Sequence, residues 1–219
     1  MSANTITIAL PKGRLVQPSL DLMRRLGLPT DDITEEARTL VYDFPAQGIR
    51  YIMCRPTDVP AYVEYGAADL GIVGKDIILE QGKDVFEMVD LRFGYCRFVV
   101  AGPAGMQGMP LEHLSDKRVA TKFTAVAEEF FSSQGLQVEV VKLHGNIELA
   151  PLMGIADMIV DIVSTGQTLR ENNLVELVQI MESTARLIVN RISYRVNYAH
   201  LQPLIERIAA AVADKEGTA

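Results

Sequence analysis

The chain is expected to be an α/β protein whose two lobes face each other across a cleft, and three features of the sequence predict this. Short apolar runs alternate with helix-length patterns, the signature of parallel sheets carrying helices on both faces. A short internal echo joins Gly66-Ala67-Ala68-Asp69 before Leu70-Gly71-Ile72-Val73 to Gly154-Ile155-Ala156-Asp157 before Met158-Ile159-Val160. In each copy a glycine stops a helix, and a small apolar residue and an aspartate open a strand. With 219 residues, 48% of them hydrophobic, the chain can bury a sizeable core as one large domain or two small lobes.

In chain order, residues Thr5 to Leu10 and Ile49 to Met53 read as strands, and Pro18 to Leu26 as a helix stopped by Gly27. Arg55 to Tyr65 reads as a second helix, capped by Thr57 or Asp58 and stopped by Gly66. A buried strand over Asp69 to Gly74, a helix from Ile77 to Gln81 and a strand from Cys96 to Ala101 follow. Beyond the loop Gly102 to Met109 the same grammar resumes. Arg118 to Thr121 and Gln137 to Leu143 read as strands, Thr124 to Gln134 as a helix ended by Gly135, and Asn146 to Met153 as a short helix ended by Gly154. The next strand runs into a loop, and Thr168 opens a short helix. A last helix over Leu201 to Val212 is expected to pack on the first lobe. The predicted lobes are residues 1–96, completed by 183–212, and 97–182, with 213–219 as a flexible tail.

The formal net charge of −7 argues against a nonspecific nucleic-acid binder, whose affinity rests on neutralising many phosphates. Small phosphorylated ligands need only a few local cations. Cys54 and Cys96 are the only cysteines and have no metal-ligand or redox spacing, which fits a reducing cytoplasm. No secretory leader pattern and no apolar run of membrane-spanning length is present. His113, His144 and His200 are scattered, with no nucleophile beside them.

The most informative stretch is the strand ending in Asp161 and the loop Ser164-Thr165-Gly166-Gln167-Thr168. Hydroxyl donors at Ser164, Thr165 and Thr168, and a glycine that lets backbone N–H groups turn inward, suit a phosphate. A helix starting at Thr168 would add its dipole. Asp157 and Asp161 just upstream make sense for a ligand with sugar hydroxyls beside its phosphate, so the expected ligand is a sugar phosphate. The alternative is a plain turn capped by Asp161. Lys12-Gly13-Arg14, at the carboxyl end of the first strand, allows close backbone approach to an anion that two cations neutralise; otherwise it is a solvated turn. Arg38 and Arg55 are either further anion ligands or surface ion-pair partners. Asp76, after Gly74-Lys75, can hold ligand hydroxyls, cap the helix that follows, or do both.

Leu10-Pro11-Lys12-Gly13-Arg14, Arg55 with Asp58-Val59-Pro60, Gly66 to Asp76, Glu148-Leu149-Ala150-Pro151 and Asp161 to Leu169 together resemble the ATP phosphoribosyltransferase family, over about Ile6 to Tyr194. The resemblance implies a two-lobed, periplasmic-binding-protein-like α/β fold and the first reaction of histidine biosynthesis. There, N1 of ATP joins C1 of phosphoribosyl pyrophosphate, releasing pyrophosphate with magnesium present. The nucleobase phosphoribosyltransferases carry two adjacent acids where this chain has Asp161-Ile162, which disfavours that type and leaves open whether Asp157 or Asp161 dominates the ribose contact. The chain ends soon after its last helix, resembling the short form that assembles with a separate regulatory protein similar to a histidyl-tRNA synthetase; a homo-oligomer is also implied.

On this resemblance, Arg14 and Arg38 are expected to converge on the departing pyrophosphate as catalytic residues. Ser164, Thr165, Gly166, Gln167 and Thr168 hold the 5-phosphate, with Asp161 and Asp157 at the ribose hydroxyls. Lys12, Arg55, Asp76 and Cys96 line the ATP site. Mg2+ bridges pyrophosphate oxygens, bound by substrate and water, with no protein metal cage. A cytoplasmic sensor that binds one ligand and releases it is the competing reading; two separated polar constellations suit an enzyme with two substrates better.

Overall fold

The computed structural model describes residues 5–34 and 38–214. Its first strand, β1 (Ile6–Pro11), is apolar apart from Thr7, and its inner residues are buried on both faces, as a central parallel strand requires. Gly13 turns the chain at φ +82° into α1 (Val16–Arg25). That helix buries Val16, Ser19, Leu20 and Met23, one face at helical spacing, and Gly27 ends it at φ +70°. Pro18 is harmless there because the first N–H groups of a helix have no intrahelical acceptor. β2 (Val41–Phe44) and β3 (Ile49–Cys54) form an antiparallel pair around the turn Pro45–Gln47 and a left-handed Gly48. Then come α2 (Val59–Glu64), β4 (Leu70–Gly74), α3 (Lys75–Gln81) and β5 (Val85–Asp90).

The middle of the chain supplies β6 (Cys96–Pro103), β7 (Lys117–Thr121), α4 (Thr124–Ser133), β8 (Val138–Lys142), α5 (Leu149–Leu152), β9 (Met158–Val163), α6 (Gln167–Glu171) and β10 (Leu174–Ser183). β11 (Ala185–Asn190), α7 (Arg191–Val196) and α8 (Tyr198–Ala213) complete it. Two compact units result, Met1–Gly94 with Thr184–Ala219, and Tyr95–Ser183. Of the expected tail, Ala213 closes α8 and Asp214 follows it; residues 215–219 lie outside the described residues, as do 35–37. No helix among the described residues is long and apolar enough to cross a membrane.

The first unit is a six-stranded sheet ordered β2-β3-β1-β4-β11-β5, and the second a five-stranded sheet ordered β10-β6-β9-β7-β8. Both are mixed, not parallel as expected. β11 runs antiparallel to β4 and β5, and β6 antiparallel to β9 and β10. Within the first sheet side chains alternate between two layers. Ile8, Leu10, Leu187 and Val189 pack with α1 and α8, while Ala9 and Ile188 pack with Val59 and Val63 of α2.

The internal echo is structural. The Asp69 carboxylate accepts a hydrogen bond from the Thr7 N–H at 2.8 Å, and the Asp69 N–H donates to the Thr7 carbonyl at 2.9 Å. Asp157 repeats this with Arg118, at 2.8 and 2.9 Å. In each unit an aspartate entering one strand satisfies the start of its parallel neighbour, where the ladder has no further backbone partner to offer. Gly66 and Gly154 have matching φ values of +74° and +70°.

Candidate active site

Polar groups of the first unit gather at one edge of its sheet. β1, β3 and β4 are parallel and in register, with Pro11 opposite Cys54. Lys12, Arg55 and the Lys75-Asp76 pair therefore leave from neighbouring carboxyl ends, the edge at which α/β sheets present ligand-binding residues. Arg14 follows Lys12 and is exposed. Arg38 reaches the same edge from the other direction: β2 runs antiparallel to β3, and the Met53 N–H donates to the Leu40 carbonyl at 2.7 Å just before β2 begins. Gly13 has nothing within 4 Å of where a Cβ would stand, so its left-handed turn leaves open space between Lys12 and Arg14. The thiol of Cys54 is pushed up to about 12 by burial and by Asp58, which keeps it inert beside Arg55.

Asp76 is 5% exposed and lies inside the first turn of α3, whose N-cap is Gly74. The capping role considered for Asp76 therefore falls to a glycine. One Asp76 carboxylate oxygen comes within 2.0 Å of the place a Gly74 Cβ would take, so Gly74 makes room for this carboxylate to fold back over the strand end. Asp58 occupies the N-cap position of α2 without a side-chain capping bond, and Thr57 hydrogen-bonds Asp58 instead.

In the second unit β9 delivers the loop. Gly166 sits at φ +72° as the N-cap of α6, and a Cβ there would meet Arg170 Nη1 at 3.1 Å and Glu176 Oε1 at 3.5 Å. Arg170 donates from Nη1 to the Thr165 carbonyl at 3.1 Å, bracing the loop from behind. Ser164, Thr165, Gln167 and Thr168 are exposed, with Gly166 buried beneath them. Together with Lys122, Glu148 and Asp161 they line a cavity of about 260 Å³. Asp161 reaches it from β9. Its Oδ1 is buried without a hydrogen-bond partner and stands 3.6 Å from Lys122 Nζ, an ion contact too long to be a hydrogen bond. Burial raises the Asp161 carboxyl above the usual range; Lys122 and the Ile162 N–H pull it down, and Glu148 pushes it up again. A sugar hydroxyl entering here would find an acceptor waiting.

Two expected site residues do not fit. Asp157 lies at the amino end of β9, seven residues before Ser164 and roughly 23 Å away along an extended strand. Its carboxylate is committed to the Arg118 N–H, and of the two aspartates Asp161 is the one that lines the cavity with the loop. Cys96 is in the second unit, whereas Lys12, Arg55 and Asp76 are in the first. It begins β6, 1% exposed, one position beyond the pairing of Arg97 with Val163, and so stands beside the start of the loop at Ser164. Of the further charged residues lining the cavity, Glu148 entered the sequence reading only as the first residue of the Glu148-Leu149-Ala150-Pro151 motif, and Lys122 was not singled out. The available signal for Lys122 was the one used for Lys12, a lysine immediately after a strand.

The ATP phosphoribosyltransferase family model, HisG, matches residues 55–210. An ATP phosphoribosyltransferase of Syntrophomonas wolfei is 62% identical over 203 residues, spanning 93% of this chain and 94% of that one. One from Moorella thermoacetica is 60% identical over 216 residues, 96% of this chain and 95% of that one.

The chain belongs to the ATP phosphoribosyltransferase family.

Membership makes it a pentosyl-transferring glycosyltransferase and excludes the sensor reading. Among solved structures, the ATP phosphoribosyl transferase (HisG:HisZ) complex from Thermotoga maritima contains a chain 33% identical to this one, with TM-score 0.79, covering 95% of this chain and 99% of that one. The substrate binding protein of an amino acid ABC transporter has TM-score 0.61 at 13% identity, covering 97% and 93%, and shares the fold. The periplasmic-binding-protein-like architecture expected for an ATP phosphoribosyltransferase is thus the one present.

Proposed function

We propose that the chain transfers phosphoribosyl from phosphoribosyl pyrophosphate to N1 of ATP, giving phosphoribosyl-ATP and pyrophosphate, the opening step of histidine biosynthesis. The observation that carries this is the cavity at the end of β9, where the hydroxyl-rich loop and the unpartnered Asp161 oxygen offer a phosphate site and a sugar-hydroxyl acceptor side by side. Ser164 to Thr168 hold the 5-phosphate and Asp161 a ribose hydroxyl. ATP is held by Lys12, Arg55 and Asp76 at the edge of the first sheet. Adenine N1 attacks with its own lone pair, so no general base is required. As the bond from C1 to pyrophosphate lengthens, positive charge grows on the ribose and negative charge on the leaving group. Arg14 and Arg38 supply fixed positive charge for the latter.

Magnesium fits this arrangement as an ion carried by substrate. The charged side chains proposed for the pyrophosphate are cations, which suit the anion, and the cavity carboxylates Asp161 and Glu148 share their space with Lys122. When bound, the ion neutralises part of the pyrophosphate charge. By analogy with the Thermotoga maritima complex, the chain assembles with a HisZ-like regulatory subunit, resembling histidyl-tRNA synthetase, as well as with copies of itself, in the cytoplasm.

The test is mass-spectrometric detection of phosphoribosyl-ATP after incubation with ATP, phosphoribosyl pyrophosphate and magnesium, each omitted in turn, with and without the regulatory subunit. Product that depends on both substrates is expected. No product in either case would sink the assignment.

A further inference from the structure

The turn after β7 is built with unusual care for a segment that carries a single charged side chain into the cavity. Thr121 is wholly buried, and its hydroxyl donates to the Val160 carbonyl at 2.7 Å while accepting from the Phe123 N–H at 2.9 Å. This pins the turn to β9, the strand that carries Asp161. Phe123 is buried edge-on against Phe98, with centroids 4.8 Å apart, and the Lys122 ammonium lies 4.9 Å from the Phe123 ring centroid. A cation held over an aromatic face has fewer positions to sample than a lysine in water. Its Nζ is thereby placed 3.6 Å from the Asp161 oxygen that lacks a hydrogen-bond partner.

We propose that Lys122 is a positioning residue for phosphoribosyl transfer: its ammonium keeps the Asp161 carboxylate charged and turned into the cavity, ready to accept a ribose hydroxyl. The inference rests on the reading of the cavity as the phosphoribosyl site. Other charged groups around Asp161 do not take this part. Glu148, from the N-cap of α5, opposes the charge. Arg97 of β6 is held by a two-pronged pair with Glu176, at 2.7 and 2.9 Å. Arg170 of α6 is turned to the Thr165 carbonyl. Without Lys122, burial and Glu148 favour the protonated acid, which presents a donor where the sugar hydroxyl needs an acceptor.

The experiment uses the full chain with Lys122→Met, Lys122→Arg and Asp161→Asn. Two quantities are measured between about pH 3 and 9, a span that brackets a carboxyl raised from its ordinary range: the titration of the Asp161 carboxyl by carbon NMR without ligand, and the affinity for phosphoribosyl pyrophosphate with magnesium by calorimetry. In Lys122→Met the carboxyl midpoint should rise by about one pH unit, as expected for loss of one close opposite charge. Affinity should fall about tenfold at the acid end and recover towards the native value at the alkaline end. Lys122→Arg should restore both. A midpoint that does not move overturns the proposal, as does a loss of affinity equal at every pH, which would mean that Lys122 touches a substrate phosphate directly. If Asp161→Asn binds as tightly as the native chain, the reading of the cavity fails and takes the positioning role with it, whatever the midpoint does.

Discussion

Substituting Gly74 by alanine isolates the contribution of Asp76, because the backbone itself offers no objection. Gly74 has φ −68° and ψ 144°, an extended conformation that alanine adopts freely, so the change should slightly favour folding by restricting the unfolded chain. The added Cβ, however, would stand 2.0 Å from Asp76 Oδ1, where ordinary contact begins at 3.4 Å, so the oxygen must retreat by 1.4 Å, the difference of the two. Asp76 is 5% exposed and already engaged with its surroundings, so the retreat breaks existing interactions instead of swinging a free side chain into water. Disturbing a buried, partnered carboxylate costs on the order of 2–4 kcal/mol. For a chain of this size that corresponds to a Tm lower by roughly 4–16 °C. If Asp76 holds ATP, a displacement beyond 1 Å should also weaken ATP binding by about tenfold or more.

Gly71→Ala is the matched control on the same strand. Its Cβ would meet Val63 and Val59 methyls at 2.7 and 2.8 Å, an overpacking that costs about 1–3 kcal/mol but touches no polar group. Thermal unfolding and ATP calorimetry should therefore show stability lost in both variants and ATP affinity lost only in Gly74→Ala. In an Asp76→Ala background the Gly74→Ala penalty should largely vanish, since the two changes share one contact. Native ATP affinity in Gly74→Ala, or an unchanged penalty in that background, would refute the reasoning.

Asp157→Ala should lower stability by about 1 kcal/mol or less, because the exposed Arg118 N–H it releases can be hydrated, with affinity for phosphoribosyl pyrophosphate unchanged by calorimetry; weakened binding would return Asp157 to the ribose site. Gly166→Ala should cost about 1–2 kcal/mol for its left-handed φ and press the Arg170 guanidinium by a few tenths of an ångström, and the strained loop should bind phosphoribosyl pyrophosphate about tenfold more weakly by calorimetry. In Gly13→Ala, equally left-handed but with open space around it, the loss from backbone strain is expected without a clash inside the protein, and unfolding curves of the two variants separate backbone strain from the steric effect. Arg14→Ala should reduce kcat far more than it weakens ATP binding, because the proposed contact strengthens as pyrophosphate departs; a raised KM at unchanged kcat in steady-state assays would contradict that role.

What the sequence made legible was chemistry contained in a single turn. The loop Ser164 to Thr168 and the Lys12-Gly13-Arg14 turn announce themselves because their donors, cations and left-handed glycines are consecutive, and the structure puts both at strand ends. β10 shows the opposite. Its exposed residues Glu176, Gln179 and Glu182 recur every third position, because register shifts after Glu176 and after Gln179 each add a residue to the strand. Two bulges turn a period-two pattern into one nearer a helix, and no local rule for strands recognises it.

Asp157 was misplaced for a related reason. It is four residues from Asp161, so alternation puts both on one face of β9, and only the length of the strand separates them. The Lys122–Asp161 contact could not be read at all, since the two residues are 39 positions apart and the pairing depends on β7 and β9 lying parallel in register. Parallel register is nevertheless what brings such residues together within each unit. Immediately after β1, β3, β4, β7 and β9 come Lys12, Arg55, Lys75 with Asp76, Lys122 and Ser164. A strand that ends in a polar or charged residue looks like an ordinary turn when taken alone. Once two neighbouring strands are known to run parallel and to end level with each other, the same residues must share an edge, so knowledge of strand pairing, more than of side-chain spacing, is what converts this sequence into a candidate active site.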